Sequence, residues 1–175
     1  MKNEAITPRY ERLLKTLAGM PKKMLSVHGK DNVTELVLHE LCDEGCFNIT
    51  KAAYFIDNPD FDCIKGVAGF NRANEYGKKE HMWKDTDSFS SHMLTCPFNQ
   101  QVRSVQKQSF KKNGMSDEAI VQELSRELAF ANPRFYSWQL KHDNHGIFVF
   151  EEPTDMPLDQ DLLHGVCLLA FCPIF

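Results

Sequence analysis

Two pairs of short, β-prone runs constrain this chain more than any other feature. "KAAYFIDN" (51–58) and "CIKGVAGFN" (63–71) are joined through "DNPDFD", a stretch of turn-forming residues. "RFYSWQLK" (134–141) alternates, with Tyr136, Trp138 and Leu140 on one face and Phe135, Ser137 and Gln139 on the other. "HDNHG" then supplies a turn and "IFVFEEP" a return strand. Strands this close in sequence pair as antiparallel hairpins, because a parallel connection needs roughly a dozen residues or more. The fold is therefore expected to hold a mainly antiparallel sheet.

The flanking segments read as helices. Thr7 can cap a first helix with Pro8 at its first position, and Tyr10, Leu13, Leu14 and Leu17 recur at helical spacing before Gly19 and Pro21 mark its end. Asp31 or Asn32 caps a second helix, which carries Val33, Leu36, Val37 and Leu41 to about Cys46. The polar stretch "ANEYGKKEHMWKDTD" reads as an exposed connection. Asp87 or Ser88 starts another helix. A break is expected in it at Cys96-Pro97, because the residue before proline is biased out of the helical region. Its continuation places Phe98, Val102 and Val105 on one face and runs to "KKNG", with Gly114 at the C′ position. Ser116 then caps a helix through Ile120, Val121, Leu124 and Leu128.

The last eleven residues, "GVCLLAFCPIF", carry no charge. They are too few to span a bilayer and read as a fifth strand buried on both faces, on which Cys167 and Cys172 point opposite ways. An apolar segment of this kind needs cover, so a homo-oligomer or protein partner held through this C-terminal strand is expected. The order is α-α-β-β-α-α-β-β-β. It implies an α+β fold, a five-stranded and mainly antiparallel sheet with helices on one face, in a single domain spanning 1–175. The arrangement resembles GAF- or PAS-type sensory modules in outline, and no residue motif extends the likeness.

A length of 175 residues suits one domain, and a net charge of −4 implies no general attraction to nucleic acid or an anionic membrane. "MKNEAITPRYERLLKTL" lacks the apolar centre of a secretory signal, and no apolar run has the length of a membrane span. A soluble, cytoplasmic protein is expected. Six cysteines are many for that compartment. Reducing conditions argue against a disulfide framework, so each cysteine is a small core hydrophobe, a ligand or a reactive thiol.

"LVLHELCDEGCFN" places His39, Cys42 and Cys46 within eight residues. On a helix these three fall within about 60° of arc, away from the stripe of Val37 and Leu41. Thiolates and imidazole are ligands for Zn²⁺ or iron. "SSHMLTCPF" offers His92 and Cys96 one turn apart as the second half of such a site. The leading expectation is a transition-metal site, Zn or Fe, held by His39, Cys42, Cys46, His92 and Cys96, with no reaction assigned. A weaker version puts an iron–sulfur cluster on Cys42, Cys46, Cys63 and Cys96, although the spacing matches no standard cluster motif. "HELCDE" lacks the second histidine of an H-E-x-x-H hydrolase, and Glu40 reads as a solvated helix carboxylate.

Two rival readings stand beside the metal site. One is a metal-free ligand-binding or protein-interaction module, sensory-domain-like, whose cysteines are packing. The other is a thiol redox sensor. Cys42 or Cys46 paired with His39 would need a lowered pKa, and Asp43 and Glu44 would raise it. Asp57, Asp60 and Asp62 read as turn chemistry rather than a cation site. His142 and His145 read as turn residues. Gly66 and Gly69 match no phosphate-binding pattern and read as a bulge or a close approach of backbone or ligand.

Overall fold

The computed structural model describes residues 8–151 and 160–172. Along the chain these form α1 (Pro8–Ser26), α2 (Val33–Cys42), β1 (Lys51–Asn58), β2 (Cys63–Asn71), α3 (Thr86–Thr95), α4 (Pro97–Arg103), β3 (Gln106–Lys107), α5 (Asp117–Glu127), β4 (Arg134–Gln139), β5 (His145–Glu151) and α6 (Gln160–Leu163). α6 runs on into a 3₁₀ segment, His164–Phe171. The fold is α+β, with one five-stranded antiparallel sheet in the order β3-β2-β1-β5-β4. Both expected hairpins form. In the first turn Asn58 accepts a hydrogen bond from the Phe61 amide at 3.1 Å. In the second, His142 and Asp143 both take positive φ (58° and 55°), the conformation a tight hairpin turn demands.

β1 holds the centre because both of its faces are apolar. Ala52, Tyr54 and Ile56 join Phe70, Phe148 and Phe150 under α1, α2 and α3. Ala53 and Phe55 join Ile147 and Val149 under Phe98 and Val102 of α4 and Ile120 and Leu124 of α5. Helices therefore cover both faces, not one as the element order suggested. A strand without alternating polarity is what a doubly covered sheet requires.

The β2 edge is closed by α4 as well as by the two-residue β3. Gly66 donates its N–H to the Val105 carbonyl (2.9 Å) and Gly69 donates to Asn99 Oδ1 (2.9 Å). A Cβ on Gly66 would lie 1.9 Å from the Val102 carbonyl oxygen, so the expected close approach is present. Asn99 Nδ2 also donates to Glu35 Oε1 (3.0 Å), which accepts from Arg103 Nη1 at 2.9 Å. This network, buried at Glu35 and Asn99 and exposed at Arg103, ties α2 to α4 around the sheet edge. At the other end of the first hairpin, Asp57 is fully buried and accepts from Ser109 Oγ and from the amides of Phe110 (2.9 Å) and Lys111 (3.2 Å). Its carboxylate thus holds the loop after β3.

Three expectations need correction. α1 continues through Gly19 and Pro21, because burial of Leu13 and Met20, with Leu17 and Met24 packed beside them, keeps one apolar stripe running along it. Fully burying a side chain of this size is worth about 1.5–3 kcal/mol, enough to offset much of the roughly 3 kcal/mol cost of an interior proline. Next, the fifth strand is β3, while the C-terminal apolar segment is helical. Leu163, Val166, Leu169 and Cys172 pack into the core and Phe171 stays 78% exposed. A partner contact through a C-terminal strand therefore has no strand to use, and residues 173–175 lie outside the described residues. Third, "ANEYGKKEHMWKDTD" is not simply exposed, since Tyr76 and Met82 are buried within it. The break at Cys96-Pro97 and the Ser116 cap, which accepts from the Ala119 amide, form as expected. The cap expected at Thr7 lies outside the described residues. Among the described residues no helix is long and apolar enough to cross a membrane.

Candidate functional site

α2 ends at Cys42, so the stripe drawn through His39, Cys42 and Cys46 does not exist. Asp43 leaves the helical region (ψ 154°) and its Oδ2 accepts from the Gly45 amide at 2.9 Å. Arg72 donates to the carbonyls of Cys42 (3.0 Å) and Ile49 (2.8 Å), and Phe47 N–H returns to the Leu41 carbonyl (3.0 Å). The last carbonyls of α2 are thereby satisfied and the chain turns away. α2 is also buried on nearly every side, with only Glu40 spared. A helix buried all round has no separate face on which a ligand stripe stands apart from the core.

The five residues expected to hold Zn or Fe divide accordingly. Cys42 and Cys46 lie in the core. Burial pushes the Cys42 thiol well up, with Cys46 adding to the effect, and pushes Cys46 up to about 12. His39 stands between the rings of Phe70 and Phe89, edge-on to each at 5.0 Å. His92 and Cys96 do meet, with Nε2 and Sγ 3.2 Å apart. However, His92 Nε2 donates to the Asn74 carbonyl (2.8 Å), so it is protonated and cannot accept the thiol proton. The thiol donates to that same carbonyl at 3.5 Å. Burial, then the charge of Glu35, raises the Cys96 pKa. The pair ties α3 to the segment after β2. Among the described residues no group of three or more His, Cys, Asp or Glu side chains is placed to hold a metal ion. The metal-binding expectation is overturned by that geometry, for Zn and Fe on the five residues and for an iron–sulfur cluster on Cys42, Cys46, Cys63 and Cys96.

The opening motif contributes to a different site. α2 presents His39 and Glu40, and its C-cap presents Asp43, to a cleft of about 500 Å³, walled by Lys23 of α1 and by Glu75, Lys79 and Trp83 from residues 75–84. Lys79 Nζ lies 2.7 Å from Asp43 Oδ1 and 2.5 Å from Glu75 Oε1. Burial works against the charged form of both Asp43 and Lys79. Their contact outweighs it, lowering the carboxyl pKa and raising that of the ammonium. Glu40 is held at both oxygens: Oε1 lies 2.5 Å from Lys23 Nζ, and Oε2 accepts from the Trp83 indole N–H at 2.9 Å. It is not the solvated carboxylate its sequence context suggested.

His39 lines this cleft and is 6% exposed. Its Nδ1–H donates to the Glu35 carbonyl at 3.1 Å, which leaves Nε2 as the acceptor of a neutral ring. Burial lowers its pKa to about 4, and repulsion from the Lys79 ammonium pushes the same way. The site thus combines one buried acceptor, three ion pairs made by two lysines, and an indole wall. The sequence held one signal for it, an aromatic and apolar set (Tyr76, Met82, Trp83) inside a polar run. A second groove, of about 370 Å³, lies between α1 and the C-terminal segment. Among the described residues it is lined mainly by apolar side chains, with His28 as the one titratable group. Comparison with protein-family models, with curated proteins and with solved structures finds no match, so the outline likeness to sensory modules carries no function.

Proposed function

We propose that this chain is a metal-free binding module that takes a small polar ligand in the cleft of His39, Glu40, Asp43, Glu75, Lys79 and Trp83. The observation that carries the reading is His39, a buried neutral imidazole with an acceptor nitrogen at a cleft walled by ordered charges. Ligand sites are concave and mainly apolar, with a few well-placed polar groups to fix orientation. Here His39 accepts a donor from the ligand, Trp83 gives it an apolar wall, and the ion pairs around Lys79 and Glu40 set its charge pattern. A cytoplasmic setting belongs to the same proposal and is supported by six free cysteines.

The test is a screen of amines, amino acids, nucleosides and sugars, followed by NMR on the Trp83 indole N–H and the His39 ring. Ligands are expected to move both resonances together, and His39→Leu is expected to weaken them at least about tenfold, the worth of one lost hydrogen bond. Compounds that bind without moving either resonance, or no binding from any class, would sink the proposal.

A further inference from the structure

We propose that the cleft recognises a primary ammonium group, and that the chain's own Lys23 occupies that group's seat until a ligand displaces it. The inference rests on the ligand-cleft reading and narrows it to one chemistry. The Lys23 ammonium sits 2.5 Å from Glu40 Oε1 and 5.8 Å from the centre of the Trp83 ring. A carboxylate and an indole face are the two groups that hold an alkylammonium ion most effectively.

The two sides of this contact are unequal. Glu40 is 17% exposed and its second oxygen is fixed by the Trp83 N–H, so the seat is pre-organised. Lys23 is 42% exposed and reaches the seat from another helix on a flexible stem. The neighbouring Lys79 differs, because it bridges Asp43 and Glu75 and braces the wall. The cleft lining holds four carboxylates (Glu40, Asp43, Glu75, Glu80) against three ammonium groups (Lys23, Lys79, Lys84). With Lys23 swung out, the excess of negative charge asks for a cation, and an anion would be repelled. The His39 ring lines the same cleft, and its Nε2, the acceptor nitrogen of the neutral ring, offers one further contact to an N–H donor. A tethered competitor lowers the apparent affinity of the free ligand by the fraction of time it holds the seat.

The experiment is a titration of wild-type protein and Lys23→Met with n-butylammonium chloride, read at the Trp83 indole N–H. 1-Butanol and sodium butyrate at matched ionic strength are the controls. Lys23→Met is expected to bind n-butylammonium at least tenfold more tightly than wild type, to ignore both controls, and to lose the gain when Glu40→Gln is added. Lys23→Gln repeats the test should the methionine variant fold poorly. Equal amine affinity in wild type and variant, or a gain that survives Glu40→Gln, would overturn the inference. Nα-acetyl-lysine methylamide, run in parallel, separates the sources of the ammonium: binding tighter than n-butylammonium assigns the seat to a lysine on a peptide rather than to a free amine. If screened ligands still move Trp83 and His39 while n-butylammonium does not, the ammonium assignment fails and the ligand cleft stands. If nothing moves either resonance, both fail.

Discussion

His39 shows how one residue carries opposite meanings in sequence and in structure. Beside two cysteines it resembles a metal ligand. In the fold it is a neutral ring held by the Glu35 carbonyl and two phenylalanine edges. The unfolded chain protonates this side chain below about 6.5, and the folded chain only below about 4. Between those values the unfolded state binds more protons, so stability falls as pH drops from 6.5 towards 4 and this contribution is flat below. The expected loss is about 3 kcal/mol at most. Urea unfolding at pH 4.5 to 7 measures it, and His39→Leu should flatten that limb of the profile. An unchanged limb would place its origin in another group.

Among the elements, the joint between β2 and α4 is the least tolerant of change. Gly66 meets the Val102 backbone and Gly69 the Val102 side chain, so α4 lies directly against the strand. Gly66→Ala would drive a methyl group into a carbonyl oxygen that cannot rotate away. The expected cost is about 3 kcal/mol or more, at the upper end for overpacking, seen as a lowered midpoint in thermal unfolding. A midpoint within a degree of wild type would show that α4 slides freely, contrary to the Glu35, Asn99 and Arg103 network that anchors it. The two glycines were legible as a close approach from their place in a strand. The identity of the approaching element was not, because α4 is about thirty residues further along the chain.

Across the whole molecule, one of the two apolar layers, the one under α1, α2 and α3, takes in four of the six cysteines: Cys42, Cys46, Cys96 and Cys172. Burial raises the pKa of Cys42, Cys46, Cys96, Cys167 and Cys172, which keeps these thiols protonated and slow to react at neutral pH. Iodoacetamide at pH 7 should label at most the half-buried Cys63 and Cys167 in the native protein, and all six in denaturant. Rapid native labelling of Cys42, Cys46 or Cys96 would contradict the packing and restore thiol chemistry as a reading of this chain.

The sequence by itself determined what local chemistry can dictate: both hairpins, the break at Cys96-Pro97, the Ser116 cap and the α+β class with an antiparallel sheet. Turn residues, side-chain alternation and a proline's fixed φ act over a few neighbours and were legible there. Only the tertiary structure decided that α1 runs on through Pro21, that the apolar C-terminal segment coils instead of pairing, and that helices cover both faces. In each case burial against distant residues outweighs a local preference of comparable size. The cleft belongs to the same class of outcome. Lys23, Glu40, Lys79 and Trp83 come from three separate segments, and their separation is set by how the helices and the 75–84 segment pack over the sheet. No spacing along the chain encodes that distance.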